Sequence, residues 1–339
     1  MEEMTWGIAV AIDVFLAGHN TRKVVVSGKA VRIMTGAPMP QGANAVVMVE
    51  DTEKKTGKVN IFRPVNRQEN VSLAGEDVKK GELILSRGSL IRPAEVAMLA
   101  SLGKKDVRVT TKPKVGILST GDELVEVGGT LAEGKIYDSN SFALFSQVLI
   151  SGGEPYRLGI APDQKENLLT SVREGLSYQL LILSGGVSVG DYDLVADVLR
   201  EGGVKMFFRK VAVKPGKPIF FGKRKHTLVF GLPGYPVSSM VNFENLVRPA
   251  IFSMLGRCDW QRTIVRAILE KTVSSRGTRR EFVRVKLRRV GNRYLAIPAP
   301  SQKSGVLRSM LWADGFLIFT GGEREIMEKG KEVSIELLR

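Results

Sequence analysis

Residues 180–200 read LLILSGGVSVGDYDLVADVLR, Leu180 to Arg200. A run of aliphatic side chains, a glycine-rich turn and then apolar residues at helical spacing describe a buried strand turning into a helix. Similar units surround it. Val115–Leu118 is a short apolar strand ahead of a turn at Ser119–Gly121, and Ser139–Ile150 has helical periodicity. Tyr156–Ile160 reads as a strand and Asp163–Glu174 as a helix capped by Asp163. Beyond Arg200 come strands near Met206–Phe208, Ile219–Phe221 and Leu228–Phe230, then a helix from Pro236 to about Leu255. Strand and helix alternating in this way predict a doubly wound, parallel α/β domain over residues 112–258.

Working outward, the patterning changes. Residues 1–76 are β-rich, with short apolar runs at Val24–Val26, Ala45–Val49 and Val59–Phe62. Residues 77–111 form a linking segment with a short helix at Pro93–Leu102, opened by Pro93 and stopped by Gly103, and a strand at Val107–Thr110. Residues 259–339 return to short strands without a convincing helix and predict a small β domain.

One cysteine, Cys258, excludes a disulfide framework, and two histidines, His19 and His226, leave little for a zinc enzyme. The chemistry must come from carboxylates, lysines, hydroxyls and backbone amides. The net charge of +15 favours anionic partners. Much of it is local: residues 261–290 hold ten Lys/Arg against two Glu. Through Phe282–Arg288 the charges alternate with apolar residues, which predicts a strand with one wet, basic face. A nucleic-acid surface would interleave aromatic residues there, and only Phe282 is present, so nucleic acid is not the expected partner. No segment approaches a membrane span. The apolar run Trp6–Ala17 carries Asp13 and follows acidic rather than basic residues, unlike a signal peptide, so a cytoplasmic protein is expected.

In open α/β sheets ligands bind at the carboxyl ends of the strands. Three loops lie there: Ser119-Thr120-Gly121-Asp122-Glu123, Ser184 to Asp193, and Gly231-Leu232-Pro233-Gly234-Tyr235-Pro236. In the second, Gly185, Gly186 and Gly190 let backbone N–H groups approach an anion, Ser184 and Ser188 add hydroxyls, and the next helix aims its positive end at the site. A plain tight turn would look similar. Asp191 and Asp193 tip the reading, because carboxylates beside a phosphate suit Mg²⁺ between them. Lys210, Lys214 and Lys217 surround the turn in KVAVKPGKP; in a continuous strand Lys210 and Lys214 share one face, and both could reach an oxyanion or simply be solvated. Asp138, Ser139 and Asn140 open a helix, where Asp138 or Ser139 could also be a cap.

Taken together, these strings resemble the molybdopterin molybdenumtransferase family, known as MoeA in bacteria and as the C-terminal domain of gephyrin in animals. The strings are VRIMTGAPMPQGANAVVMVEDT (Val31–Thr52), GED (Gly75–Asp77), STGDEL (Ser119–Leu124), IYDSN (Ile136–Asn140), SGGVSVGDYD (Ser184–Asp193), VKPGKP (Val213–Pro218) and GLPGYPVSS (Gly231–Ser239). The resemblance implies a multidomain homodimer: a molybdopterin-binding α/β domain, a C-terminal β-barrel-like domain, and N-terminal segments that dimerise and carry part of the site. It also implies insertion of molybdenum from molybdate, or tungsten from tungstate, into adenylylated molybdopterin, with Mg²⁺-dependent release of AMP. Contact with a molybdopterin adenylyltransferase would fit that step. On this resemblance Asp193 matches a carboxylate of the metal and pyrophosphate region, and Asp163 another acidic site position. Glu123, Asp77 and Thr35 match further cleft positions, Lys210 and Lys214 a basic pair for phosphate or molybdate, and Ser304 in SQKSG a serine near the oxyanion. The family ordinarily carries a longer N-terminal segment with a PPFDxSxMDGYA-like string, which Met1–Asn20 does not resemble; Asn44 and Tyr235 also depart from its pattern. Two other readings stand beside this one: a molybdopterin-binding scaffold with impaired turnover, and a molybdopterin adenylyltransferase.

Overall fold

The computed structural model describes residues 7–15, 17–18, 24–186, 194–257 and 259–338. The chain divides into two compact units, residues 1–84 and 85–339. In the first, strands β1 (Gly7–Phe15), β2 (Lys29–Ile33), β3 (Thr52–Lys55) and β4 (Lys58–Ile61) form a sheet ordered β2-β1-β4-β3. The run Trp6–Ala17 therefore supplies a strand. Val24–Val26 and most of Ala45–Val49 are irregular, held instead by single bonds such as Val25 N–H to Gln41 O at 2.8 Å.

The second unit opens with α1 (Pro93–Ser101), where the proline and glycine signals predicted it. Val107–Thr110 is irregular and not the expected strand; among the described residues no strand pairs with it. Then follow β5 (Lys114–Thr120), a small ribbon of β6 (Leu124–Val125) and β7 (Ile136–Tyr137), α2 (Asn140–Ile150), β8 (Glu154–Ala161), α3 (Lys165–Gly175), β9 (Leu180–Ser184), α4 (Leu194–Glu201) and β10 (Lys205–Lys210). After β11 (Val213–Lys214) come β12 (Pro218–Arg224) and β13 (Thr227–Leu232). A long helix closes this part: α5 (Pro236–Asn242) and α6 (Arg248–Met254), joined through a π turn at Phe243–Val247.

The sheet order is β10-β12-β13-β9-β5-β8. β13, β9, β5 and β8 are parallel, while β12 and β10 add an antiparallel edge. Leu180–Leu183 are wholly buried because helices cover both faces. Leu118, Leu181 and Leu183 meet α3 and α4, whereas Val115, Ile117 and Ile182 meet α2 and the α5–α6 helix. Helix α3 starts two residues later than the sequence suggests. Asp163 is not its cap, since Gln164 holds that position and the Asp163 N–H donates to Asp122 Oδ1 at 3.0 Å.

The remaining strands are β14 (Ile264–Leu269), β15 (Val273–Ser275), β16 (Arg280–Val290), β17 (Arg293–Pro298), β18 (Gly315–Phe319), β19 (Glu325–Met327) and β20 (Glu332–Leu337). The circuit β16-β17-β14-β20-β18-β16 closes a five-stranded barrel around Val283, Val285, Leu317 and Ile335. A short helix, α7 (Arg308–Trp312), interrupts a region read as helix-free. The wet-face reading of β16 also fails at one position. Arg284 is 1% exposed, because the outer face of β16 is covered by α5 and by the loop before α7. Phe282 and Phe316 pack edge to face at 5.5 Å and meet Val237 and Val241 of α5, fixing the barrel to the α/β sheet.

Candidate functional site

From β5 the chain passes to β8 on one side and then to β9 on the other. The carboxyl ends of β5 and β9 therefore flank a topological switch point, where neighbouring connections leave in opposite directions and a crevice opens. A cleft of about 1300 Å³ lies there. Thr120, Ser184, Gly185, Gly186, Pro233 and Gly234 line its sheet side; Glu123, Asp138 and Asn140 line one flank. Lys214, Lys217, Arg279 and Ser304 approach from the barrel side.

The two glycines after β9 are required by packing as well as by any ligand. Gly185 has φ +98° and its missing Cβ would lie 2.3 Å from Thr120 O; at Gly186, φ +64°, a Cβ would strike Val195 and the Thr120 hydroxyl. Asn140 ties the cleft loops together. Its Nδ2 donates to Ser184 Oγ at 2.9 Å and to Gly234 O at 2.8 Å. Ser119 and Asp138 satisfy one another: Ser119 Oγ donates to Asp138 Oδ2 at 2.8 Å, and the Ser141 N–H donates to Oδ1 at 3.0 Å, so Asp138 secures the start of α2.

The acidic loops meet beside this cleft. Glu123 folds over Gly121, whose absent Cβ would fall 2.4 Å from Glu123 Oε2. Partial burial, with the charges of Asp122 and Glu123, raises the Asp163 carboxyl above its ordinary range. Among the described residues no three carboxylates, histidines or cysteines converge as a metal cage. Ser188, Gly190, Asp191 and Asp193 lie outside the described residues. Thr35 and Asp77 belong to the unit 1–84: Thr35 sits in the Met34–Ala37 turn ahead of Gly36, and Asp77 is exposed after the Leu73–Glu76 turn.

The basic rim differs most from the sequence reading. Lys210 and Lys214 do not share a strand face, because Lys210 ends β10 in the α/β sheet while Lys214 lies in β11, paired in parallel with β16 of the barrel. Lys214 Nζ is 2.8 Å from Glu281 Oε1. Lys210, Lys217 and Arg279 line a second cavity of about 510 Å³, which shares Lys217 and Arg279 with the cleft. Arg279 and Glu281 had no sequence signal beyond the basic run itself; their place depends on the register of β11 with β16. Ser304 is held by its carbonyl, which accepts the Val237 N–H at 3.1 Å. Behind that loop, Arg284 Nε donates to Ser309 Oγ at 3.2 Å and its Nη2 points at the carbonyls of Ser301 and Lys303. Burial pulls the Arg284 guanidinium down to about 10.

A switch-point crevice roofed by a barrel loop and edged with cations defines a class: multidomain α/β proteins with a cation-rimmed cleft at the carboxyl ends of their strands. Comparison with known proteins narrows it. Residues 5–103 match the MoeA N-terminal region, domains I and II; residues 116–253 match the probable molybdopterin binding domain; residues 266–338 match the MoeA C-terminal region, domain IV. A molybdopterin molybdenumtransferase from Bacillus subtilis is 35% identical over 333 residues, covering 97% of this chain and 77% of that protein. A protein of the same name from Haemophilus influenzae is 41% identical over 248 residues, 73% of this chain and 61% of its own. The crystal structure of the molybdopterin biosynthesis moeA protein from Pyrococcus horikoshii OT3 superposes with a TM-score of 0.79 at 33% identity, over 97% of this chain and 81% of that one. The chain belongs to the molybdopterin molybdenumtransferase (MoeA) family. Among the described residues no helix is long and apolar enough to cross a membrane.

Proposed function

We propose that this chain inserts molybdenum from molybdate, or tungsten from tungstate, into adenylylated molybdopterin and releases AMP. The observation that carries the proposal is the cleft lined both by Ser184, Gly185 and Gly186 after β9 and by Lys214, Lys217 and Arg279. Cleaving a phosphoanhydride concentrates negative charge on phosphate oxygens, and fixed cations offset that charge more effectively than a nucleophile would. In this reading Lys214, Lys217 and Arg279 hold the oxyanion beside the pyrophosphate, and Asn140 and Gly234 keep the pterin side of the cleft in place. The barrel loop at 302–305 lines the same cleft, which favours the transferase over an adenylyltransferase built from a lone α/β domain.

The carboxylates fit Mg²⁺. That ion keeps several waters and needs only one or two protein carboxylates beside substrate phosphates; the Asp163 carboxyl is raised first by burial and then by the charges of Asp122 and Glu123, and a cation would offset the second of these. Glu123, with Asp191 or Asp193, would hold it, and Mg²⁺ bound there would neutralise the pyrophosphate. A homodimer and a hand-over contact with an adenylyltransferase belong to the same reading.

The test is AMP release from adenylylated molybdopterin, measured with molybdate and Mg²⁺ each present or withheld. Release that needs both is the expected result. Normal molybdopterin binding with no release under any condition would replace this reading with that of a binding scaffold.

A further inference from the structure

Asn242 lies on α5, wholly buried, in an apolar stretch between Val241 and Phe243. An amide in such a place costs stability unless its polar atoms are paired. Only half of it is. Nδ2 donates to Gly216 O at 2.9 Å, while Oδ1 has no partner among the described residues. Gly216 is the apex of the turn that carries Lys214 and Lys217. It has φ +100°, and a Cβ there would lie 2.2 Å from Asn242 Nδ2 and 3.3 Å from Ser238 O. The turn thus presses its bare backbone onto one turn of α5, at positions 238 and 242.

On its other side the turn is held by β16, through the pairing of Val213 with Arg280 and Lys214 with Glu281. That ladder fixes Lys214 but stops before Gly216. The Asn242 amide is the side-chain hydrogen bond that reaches the apex, between the two lysines.

We propose that Asn242 is a positioning residue of the oxyanion subsite: its amide fixes the Gly216 carbonyl and so sets the spacing of Lys214 and Lys217. This rests on the reading of the cleft given above. A residue kept only for packing would be better served by an aliphatic side chain, which would leave no orphaned Oδ1. The donor to Gly216 is what such a side chain could not supply. Because α5 begins directly after the Gly231–Pro236 loop, the same helix sets both the lysine turn and the opposite lip of the cleft.

The test uses the full chain, tungstate as probe, and three variants. Asn242→Leu removes the donor at similar volume, and Asn242→Ala removes it if leucine does not fit. Asn245→Leu deletes a neighbouring amide whose hydrogen bond among the described residues stays within its own helix, to Val241 O at 2.7 Å. Titration calorimetry should show tungstate binding weakened about tenfold in either Asn242 variant and little changed in Asn245→Leu. Deuterium uptake of the peptide spanning residues 209–219 should rise in the Asn242 variants alone. Folded Asn242 variants with wild-type tungstate affinity and wild-type uptake would overturn the proposal. If the wild type itself ignores tungstate, the oxyanion reading fails, and unchanged uptake would still refute the clamp because that readout needs no ligand.

Discussion

Lys214 and Glu281 are partners twice over: they are register neighbours between β11 and β16, and their side chains form an ion pair at 2.8 Å. Glu281 is nearly buried and also accepts from Ser275 Oγ at 3.1 Å, whereas the Lys214 side chain remains half exposed to the cleft. In the proposed reading, an arriving oxyanion competes with Glu281 for this lysine.

Glu281→Gln should consequently tighten tungstate binding by about tenfold, corresponding to roughly 1.4 kcal/mol for a charge-assisted contact released to the ligand. The salt dependence of binding should steepen as well. Calorimetry at two ionic strengths checks both, and weaker binding in the variant would show that Glu281 holds the lysine in place for the anion.

Gly121 has φ +141° and lies under the Glu123 carboxylate. Gly121→Ala adds a methyl where that carboxylate now sits and strains the backbone by about 1–3 kcal/mol. AMP release should fall at least about tenfold, with a higher Mg²⁺ requirement. An unchanged Mg²⁺ titration would remove Glu123 from the metal's surroundings.

Asp163 gives a pH-dependent expectation. Its carboxyl is raised above the usual 3.8, so the folded chain keeps this proton to higher pH than the unfolded chain does. Stability is lost as pH climbs from that value through the raised one. Asp163→Asn should therefore melt above the wild type at neutral pH, and the difference should close below pH 3.8, where the acid is protonated in both states. Added Mg²⁺ should raise the melting temperature of the wild type more than that of the variant. Melting curves recorded across pH, with and without Mg²⁺, measure both effects.

The buried Arg284 makes a different kind of claim. Burial holds the Arg284 guanidinium below its ordinary range, at about 10, so its charge is kept at a desolvation cost. Arg284→Met relieves that cost and should not lower the melting temperature. It should free the 301–309 loop, seen as faster deuterium uptake there, and weaken tungstate binding. A melting temperature several degrees lower, with unchanged uptake, would make Arg284 a packing residue only.

Much of the fold was legible because its signals are local. Leu180–Leu183 and Val115–Leu118 announce strands covered on both faces, and Pro93 with Gly103 brackets a helix. Asn140 was visible as a helix-opening residue in the cleft, although its bonds to Ser184 and Gly234, 44 and 94 residues away, were not. What stayed hidden is tertiary. Two residues are too few to show a period, so β11 could not be told from a continuation of β10, and Lys210 and Lys214 were placed together. The alternation in β16 gave its strand correctly, yet alternation cannot say that a second layer covers the polar face and buries Arg284. The Asp163 cap failed because the helix begins at Lys165, which leaves Gln164 at the cap position.

The short strand β11 has one more implication, for anyone recombining members of this family. Between Lys210 and Pro218 the chain leaves the α/β sheet, adds a strand to the barrel and returns. A barrel transplanted from a relative as the C-terminal piece alone would lose this strand, and the recipient would present its lysines to a mismatched edge. Chimeras cut near residue 259 should therefore fold but discriminate oxyanions poorly unless residues 211–217 travel with the barrel. If the proposed oxyanion site holds, its preference belongs jointly to the two modules that β11 links.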